Sequence, residues 1–202
     1  MRPSAHMPLM TIAIKPRLLG LSGSLRKGSY NTAILAALAE IVVTEATLEL
    51  FPLNDVPPYD QDADTETPPA VIGRVRAAVA AADGIVIASP EYNAGMSGVI
   101  KNALDWISRP YGKSRLTGKP VLTITSSPAT TGGARAQAQL NETLTAIAAQ
   151  IVLRPQAVIG GVHSKMTAGR FTDAKSLQFL KEGVGDLLRD IERFGSAIRQ
   201  ES

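Results

Sequence analysis

Short runs of β-branched and aliphatic residues alternate along this chain with longer stretches whose apolar residues return every three or four positions. That alternation is the sequence form of a parallel sheet covered by helices, and few other architectures accommodate it. Arg17 to Leu21, Thr47 to Phe51, Gly84 to Ala88 and Pro120 to Thr125 read as four strands, with Gln150 to Leu153 as a fifth. The third, GIVIA, is apolar at every position, as a strand buried on both faces must be. Helices are predicted over Asn31 to Val43, Val71 to Ala82, Ser97 to Ile107, Ala134 to Ala149 and Ala174 to Arg199. The first carries Ile34, Leu35, Leu38, Ile41 and Val42 at helical spacing. The last aligns Leu177, Leu180, Val184, Leu187, Leu188, Ile191, Phe194 and Ile198 on one stripe. Pro52 to Pro69, rich in Pro and Asp, reads as a long surface loop. With no internal repeat or linker, the five units predict one α/β domain over residues 16–202, a doubly wound five-stranded parallel sheet in the order 2-1-3-4-5 with helices on both faces. Residues 1–15 read as a disordered tail or cloning remnant, not a signal peptide.

Composition narrows the chemistry. The 202 residues contain no cysteine, which excludes disulfides, thiolate metal sites and a Cys nucleophile together. Only His6 and His163 are histidines, too few for a His-based dyad or a multi-His metal site. Any redox or transfer chemistry therefore belongs to a bound cofactor. The net charge is +3 with Lys and Arg scattered along the chain, which gives no basic cluster for nucleic acid. No apolar run reaches the roughly 20 residues of a membrane span, and a soluble, cytoplasmic protein is expected.

In such a sheet, ligands bind beyond the carboxyl ends of the strands, so the loops after strands one, three and four carry the function. The first runs from Gly20 to Asn31, GLSGSLRKGSYN, and enters a helix whose free N–H groups and dipole favour an anion. Ser22, Ser24, Ser29 and Asn31 supply short donors and Arg26 a guanidinium fork, which suits a phosphate monoester. A Walker A loop would need its lysine after Gly28, where Ser29 stands; Lys27 comes before that glycine. A dinucleotide fingerprint would need glycines where Ser22 and Ser24 stand. Neither motif fits. The second loop begins Ser89-Pro-Glu-Tyr-Asn-Ala-Gly95, where Pro90 and Gly95 are expected to fix the turn. Tyr92 offers a flat face, and the N–H groups of Glu91, Tyr92 and Asn93 offer donors to a heterocyclic ring. Trp106 reads as a core residue.

SGSLRKGSYN together with SPEYNAGMSGVIKNALDW resembles the NADPH-dependent FMN reductase family, which includes chromate, quinone and azo-dye reductases. The resemblance runs from Arg17 to the last helix and implies a flavodoxin-like fold. It implies FMN as cofactor, with its phosphate on Ser22, Ser24, Arg26 and Asn31, and with Ser29 in the same loop. It also implies an isoalloxazine along Pro90, Glu91, Tyr92 and Asn93. Ser126, Ser127 and Gly132 complete the flavin site from the third loop, SSPATTGGAR. The implied activity moves a hydride from NADPH or NADH through FMN to quinones, azo compounds, chromate or free flavin, in a homodimer or homotetramer with Asn93 to Trp106 in the contact. The rival from another class is a flavodoxin-type electron carrier. Such carriers are strongly acidic for docking and this chain is slightly basic.

Overall fold

The computed structural model describes residues 15–198, with the backbone alone for 195–198; the expected tail, up to residue 14, and Arg199 lie outside the described residues. In chain order the elements are β1 (Arg17–Ser22), α1 (Tyr30–Ile41), β2 (Thr47–Phe51), α2 (Ala70–Ala81), β3 (Gly84–Tyr92), β4 (Gly95–Met96) and α3 (Gly98–Ile107). There follow β5 (Pro120–Ser126), α4 (Ala134–Ala146), β6 (Gln150–Ile151), β7 (Ala157–Ile159), β8 (Met166–Thr167), β9 (Arg170–Phe171) and α5 (Ala174–Ile198).

The central strands are parallel in the order β2-β1-β3-β5-β6, the 2-1-3-4-5 arrangement of the flavodoxin-like class. Alternation along each strand divides the core in two. Val86 and Ala88 of β3, with Leu122 and Ile124 of β5, face α1 and α5, where Ile34, Leu38, Leu180 and Leu187 meet them. Ile85, Ile87 and Val121 face α2, α3 and α4 through Val79, Ile100, Leu104, Leu140 and Leu144. With both faces covered, the first seven residues of β3, Gly84 to Pro90, are buried. This rigid middle fixes where the loops at its carboxyl edge emerge. No described helix is long and apolar enough to cross a membrane.

Two expectations are corrected. The fifth strand is not one run: β6 ends at Ile151, Leu153 is 98% exposed, and pairing with β5 resumes only at Ala157. Pro155 has no N–H for the ladder. Arg154 bridges the gap inward, its Nη2 donating to the Phe179 carbonyl at 3.0 Å and its Nε 3.2 Å from Asp186. Helix α4 stops at Ala146 and not Ala149, because Ala148 turns to φ +60° and its carbonyl accepts from Gly118 N–H. The Pro52–Pro69 segment is the expected surface loop, with Leu53 alone buried, but it is tied to α3. Its Pro57 carbonyl accepts from Trp106 Nε1 at 2.9 Å and from Asn102 Nδ2 at 2.8 Å, while Tyr59 packs edge-on against the Trp106 ring.

At the start of α5, Asp173 Oδ2 accepts from Ser176 N–H and from Lys165 Nζ, both at 3.0 Å. The Ser176 bond and then Lys165 lower its carboxyl from the usual 3.8 to about 2. A depressed carboxyl stabilises the fold above its unfolded value, and that contribution is lost as the pH falls through the folded value. Melting temperatures of the wild type are therefore expected to fall between pH 4 and 2 more steeply than those of Asp173→Asn, and Asp173→Ala is expected to lose about 1 kcal/mol at pH 7 with its cap.

Candidate functional site

The loops after β1, β3 and β5 meet at the carboxyl edge, and a direct contact joins each pair. The first two touch at Gly23, whose N–H donates to the Ala88 carbonyl at 2.8 Å. A Cβ there would lie 2.6 Å from Ser97 Oγ and 3.1 Å from Pro90 Cδ. First and third are joined by Ser126 Oγ, donating to Asn31 Oδ1 at 3.0 Å, both residues buried. Second and third are joined by Glu91, whose Oε2 accepts from the backbone N–H of Arg135 and Ala136 at 3.0 and 3.2 Å. The expected site residues thus converge on one surface.

Their individual settings differ. Ser29 is buried as the N-cap of α1, its Oγ accepting from Thr32 N–H. Ser22 Oγ lies 2.7 Å from Thr32 Oγ1, with the Ser24 amide 3.4 Å from the Ser22 hydroxyl. Arg26 is exposed, donating to the Gly28 carbonyl at 3.1 Å with its guanidinium carbon 5.3 Å from the Tyr30 ring centre. Neither Arg26 nor Lys27 enters an ion pair among the described residues. Ser127 is part of the loop frame: its N–H donates to Ile159, its carbonyl accepts from Val162, and its hydroxyl accepts from Ala129 N–H. Gly132, at φ +61°, is wedged against β7 and Gly160.

The first turns of α1 and α4 at this edge are not equivalent. Helix α4 has no side-chain cap on Gly133, and the Glu91 carboxylate occupies its first turn. Helix α1 has no acid in its first turn, and the N–H groups of Tyr30 and Asn31 have no acceptor within the helix. Of these two, the positive end left for an exogenous anion is that of α1.

The turn after β3 departs from expectation. Glu91 pairs with Met96 and Tyr92 with Gly95, so Asn93 and Ala94 form the tip of a two-residue hairpin, at φ +49° and +64°. Pro90 lies inside β3 opposite Ser126, and Gly95 does not supply the bend. Gly95 is small for another reason: a Cβ there would come within 2.7 Å of Gln139 Oε1, which accepts from Met96 N–H. Tyr92 stands at the hairpin flank, 54% exposed.

Residues 16–164 match the family model described as NADPH-dependent FMN reductase. The chain belongs to that family. It is 36% identical over 167 residues to an NAD(P)H-dependent FMN reductase of Pseudomonas aeruginosa, spanning 82% of this chain and 90% of the relative. It is 34% identical over 189 residues to a quinone reductase of Escherichia coli, spanning 92% and 97%. The solved FerB, a flavoenzyme NAD(P)H:(acceptor) oxidoreductase of Paracoccus denitrificans, superposes with a TM-score of 0.80 at 32% identity, covering 89% of this chain and 98% of that one.

Sequence reading missed Thr32, Gln139 and the segment Gly160–Val162 that holds the third loop. Only the last left a local signal, the paired glycines after an apolar run.

The hairpin geometry separates two uses of glycine. Ala94→Gly is expected to stabilise by about 0.5–1 kcal/mol, since a left-handed Ala is strained by more than the added chain entropy. Gly95→Ala, which displaces the Gln139 amide, is expected to cost about 0.5 kcal/mol, the low end for a hydrogen bond because Gln139 is exposed. Urea unfolding of both variants checks the opposite signs.

Proposed function

We propose that this chain is an FMN-dependent NAD(P)H oxidoreductase that reduces small acceptors, quinones foremost, with azo compounds, chromate and free flavin within its range. The observation that carries the reading is the acid-free first turn of α1 beside the exposed Tyr92 hairpin, held in one frame by three loop-to-loop contacts. That arrangement fits a flavin mononucleotide at both ends, an anion at α1 and a planar ring along the hairpin.

Ser22, Ser24 and Arg26, with the first-turn amides of α1, would take the phosphate. Ser29 and the Asn31–Ser126 bond hold the shape of that cradle from beneath, and Asn31 keeps both amide N–H groups outside that bond. Pro90, Glu91, Tyr92 and Asn93 would flank the ring, with Ser126, Ser127 and Gly132 closing the far side. Bound FMN supplies the ring that accepts a hydride from a nicotinamide and passes two electrons onward. The protein's part is placement and electrostatics: Tyr92 presents its ring to solvent, and the small residues Asn93 to Gly98 leave room for a second flat molecule. Relatives named as quinone reductases support the choice of acceptor.

This reading also includes a single domain, a cytoplasmic location and a homodimer or homotetramer. The proposed contact is narrower than the segment first expected, since Ile100, Ala103, Leu104 and Trp106 are interior. From Val99 of that segment it extends into a cleft of about 350 Å³ that Leu25, Leu53 and Val56 also line.

Arg26→Ala is expected to weaken FMN binding by about 1.5 kcal/mol, the low end for charged hydrogen bonds because the group is exposed. Fluorescence titration measures it, and an unchanged affinity would remove Arg26 from the cradle. The wild type is expected to oxidise NADPH or NADH with a soluble quinone in ping-pong fashion. Nicotinamide oxidation absent with every acceptor would refute the proposal. Light scattering should give two or four times the 21.3 kDa subunit, and a monomer would refute the assembly.

A further inference from the structure

We propose that Gln139, on the exposed side of α4, is the positioning residue for the Tyr92 hairpin, acting with Glu91 across a single rung. The functional half of this inference rests on the flavin reading above. Glu91 and Met96 are directly opposite each other in the hairpin ladder, and α4 grips both. From β3 the Glu91 carboxylate reaches the α4 backbone at Arg135 and Ala136. From α4 the Gln139 carbonyl reaches back to the β4 backbone, accepting from Met96 N–H at 2.7 Å. Two bonds join a hairpin side chain to the α4 backbone and one joins an α4 side chain to the hairpin backbone, so neither strand of the hairpin can shift along α4 without breaking a bond.

The next amide is held from the other side. Ser97 N–H donates to Ser89 Oγ at 3.2 Å, a buried contact inside the second loop. Met96 and Ser97 are therefore fixed from α4 and from β3 in turn, and what projects beyond them is the pair Tyr92 and Gly95 with the Asn93–Ala94 tip. Gly95 completes the device, because any side chain there would occupy the place of the Gln139 amide. A glycine without positive φ and an exposed glutamine in contact have no separate explanation in the fold; together they make a clamp.

The two halves of the clamp are not redundant. If Gln139 is lost, Glu91 still ties β3 to α4, but β4 can swing about β3. That swing reaches Tyr92 through its pairing with Gly95 and leaves the rest of the core untouched. Gln139 therefore sets the orientation of the ring-facing surface and adds little to global stability.

The test uses the full chain with Gln139→Met, which keeps length and removes the acceptor, and Gln139→Glu, which keeps an acceptor. Amide hydrogen exchange of residues 92–97 is measured without added flavin, and FMN affinity is measured by fluorescence titration. Gln139→Met is expected to speed exchange at Met96 roughly tenfold and to weaken FMN binding by roughly three- to tenfold. Its melting temperature should stay within about 2 °C of wild type. Gln139→Glu should restore exchange and affinity. Exchange and affinity in Gln139→Met equal to wild type would overturn the proposal. So would equal impairment of the two variants, or exchange that rises throughout α4 with a fall in melting temperature. Wild-type protein that bound no FMN would refute the flavin reading alone, and the exchange comparison would still decide the clamp.

Discussion

The geometry of the site depends on where one carboxylate goes. Glu91 leaves β3 at the point where the chain turns outward, and its side chain caps α4 across the gap to the third loop. A charged acceptor on two backbone N–H groups is worth about 1.5–3 kcal/mol, more than a neutral cap. Its consequence is selective as well as stabilising. By filling the positive end of α4 with a fixed negative charge, Glu91 withdraws that end from an incoming anion, while the first turn of α1 stays free of acid. The same bond ties the hairpin to the helix, so charge placement and shape have one cause.

Around it, the architecture supplies rigidity by burying the sheet on both faces. β3 contributes alternate residues to two separate clusters, and β5 does the same. A strand with close-packed neighbours on each side has no freedom to tilt, and the loops at its end inherit that fixity. The contacts at Gly23, Asn31 and Glu91 then hold the loops to each other. The site is thus placed by long-range packing and only shaped by its own loop residues.

Much of this was legible in the sequence. GIVIA marked its strand because burial on both faces leaves no polar position, and PVLTIT did so with only two β-branched threonines, Thr123 and Thr125, among its apolar residues. The Gly/Ser character of the first loop marked the anion-binding turn because short donors and a helix start lie within a few residues of each other. The unreadable parts depend on partners far away in the chain. Gly95 is small because of Gln139, more than forty positions later, so local turn rules assigned it to the wrong task. Asn31 and Ser126, expected as separate ligand contacts, bond each other across 95 positions. The break in the fifth strand had a local sign in Pro155, yet the return of the chain to β5 at Ala157 is set by tertiary pairing.

Trp106 is the chain's single tryptophan, fully buried, with its indole N–H bonded to the carbonyl of Pro57. Its ring stands against Tyr59, and the Arg76 guanidinium lies 5.9 Å from its centre. All ultraviolet emission from indole in this protein therefore arises from one place, the seat of the Pro52–Pro69 segment on α3. The colour of that emission reports whether the segment is seated, so a spectrum taken without any substrate reads the local order of a stretch that its Pro- and Asp-rich composition would assign to solvent.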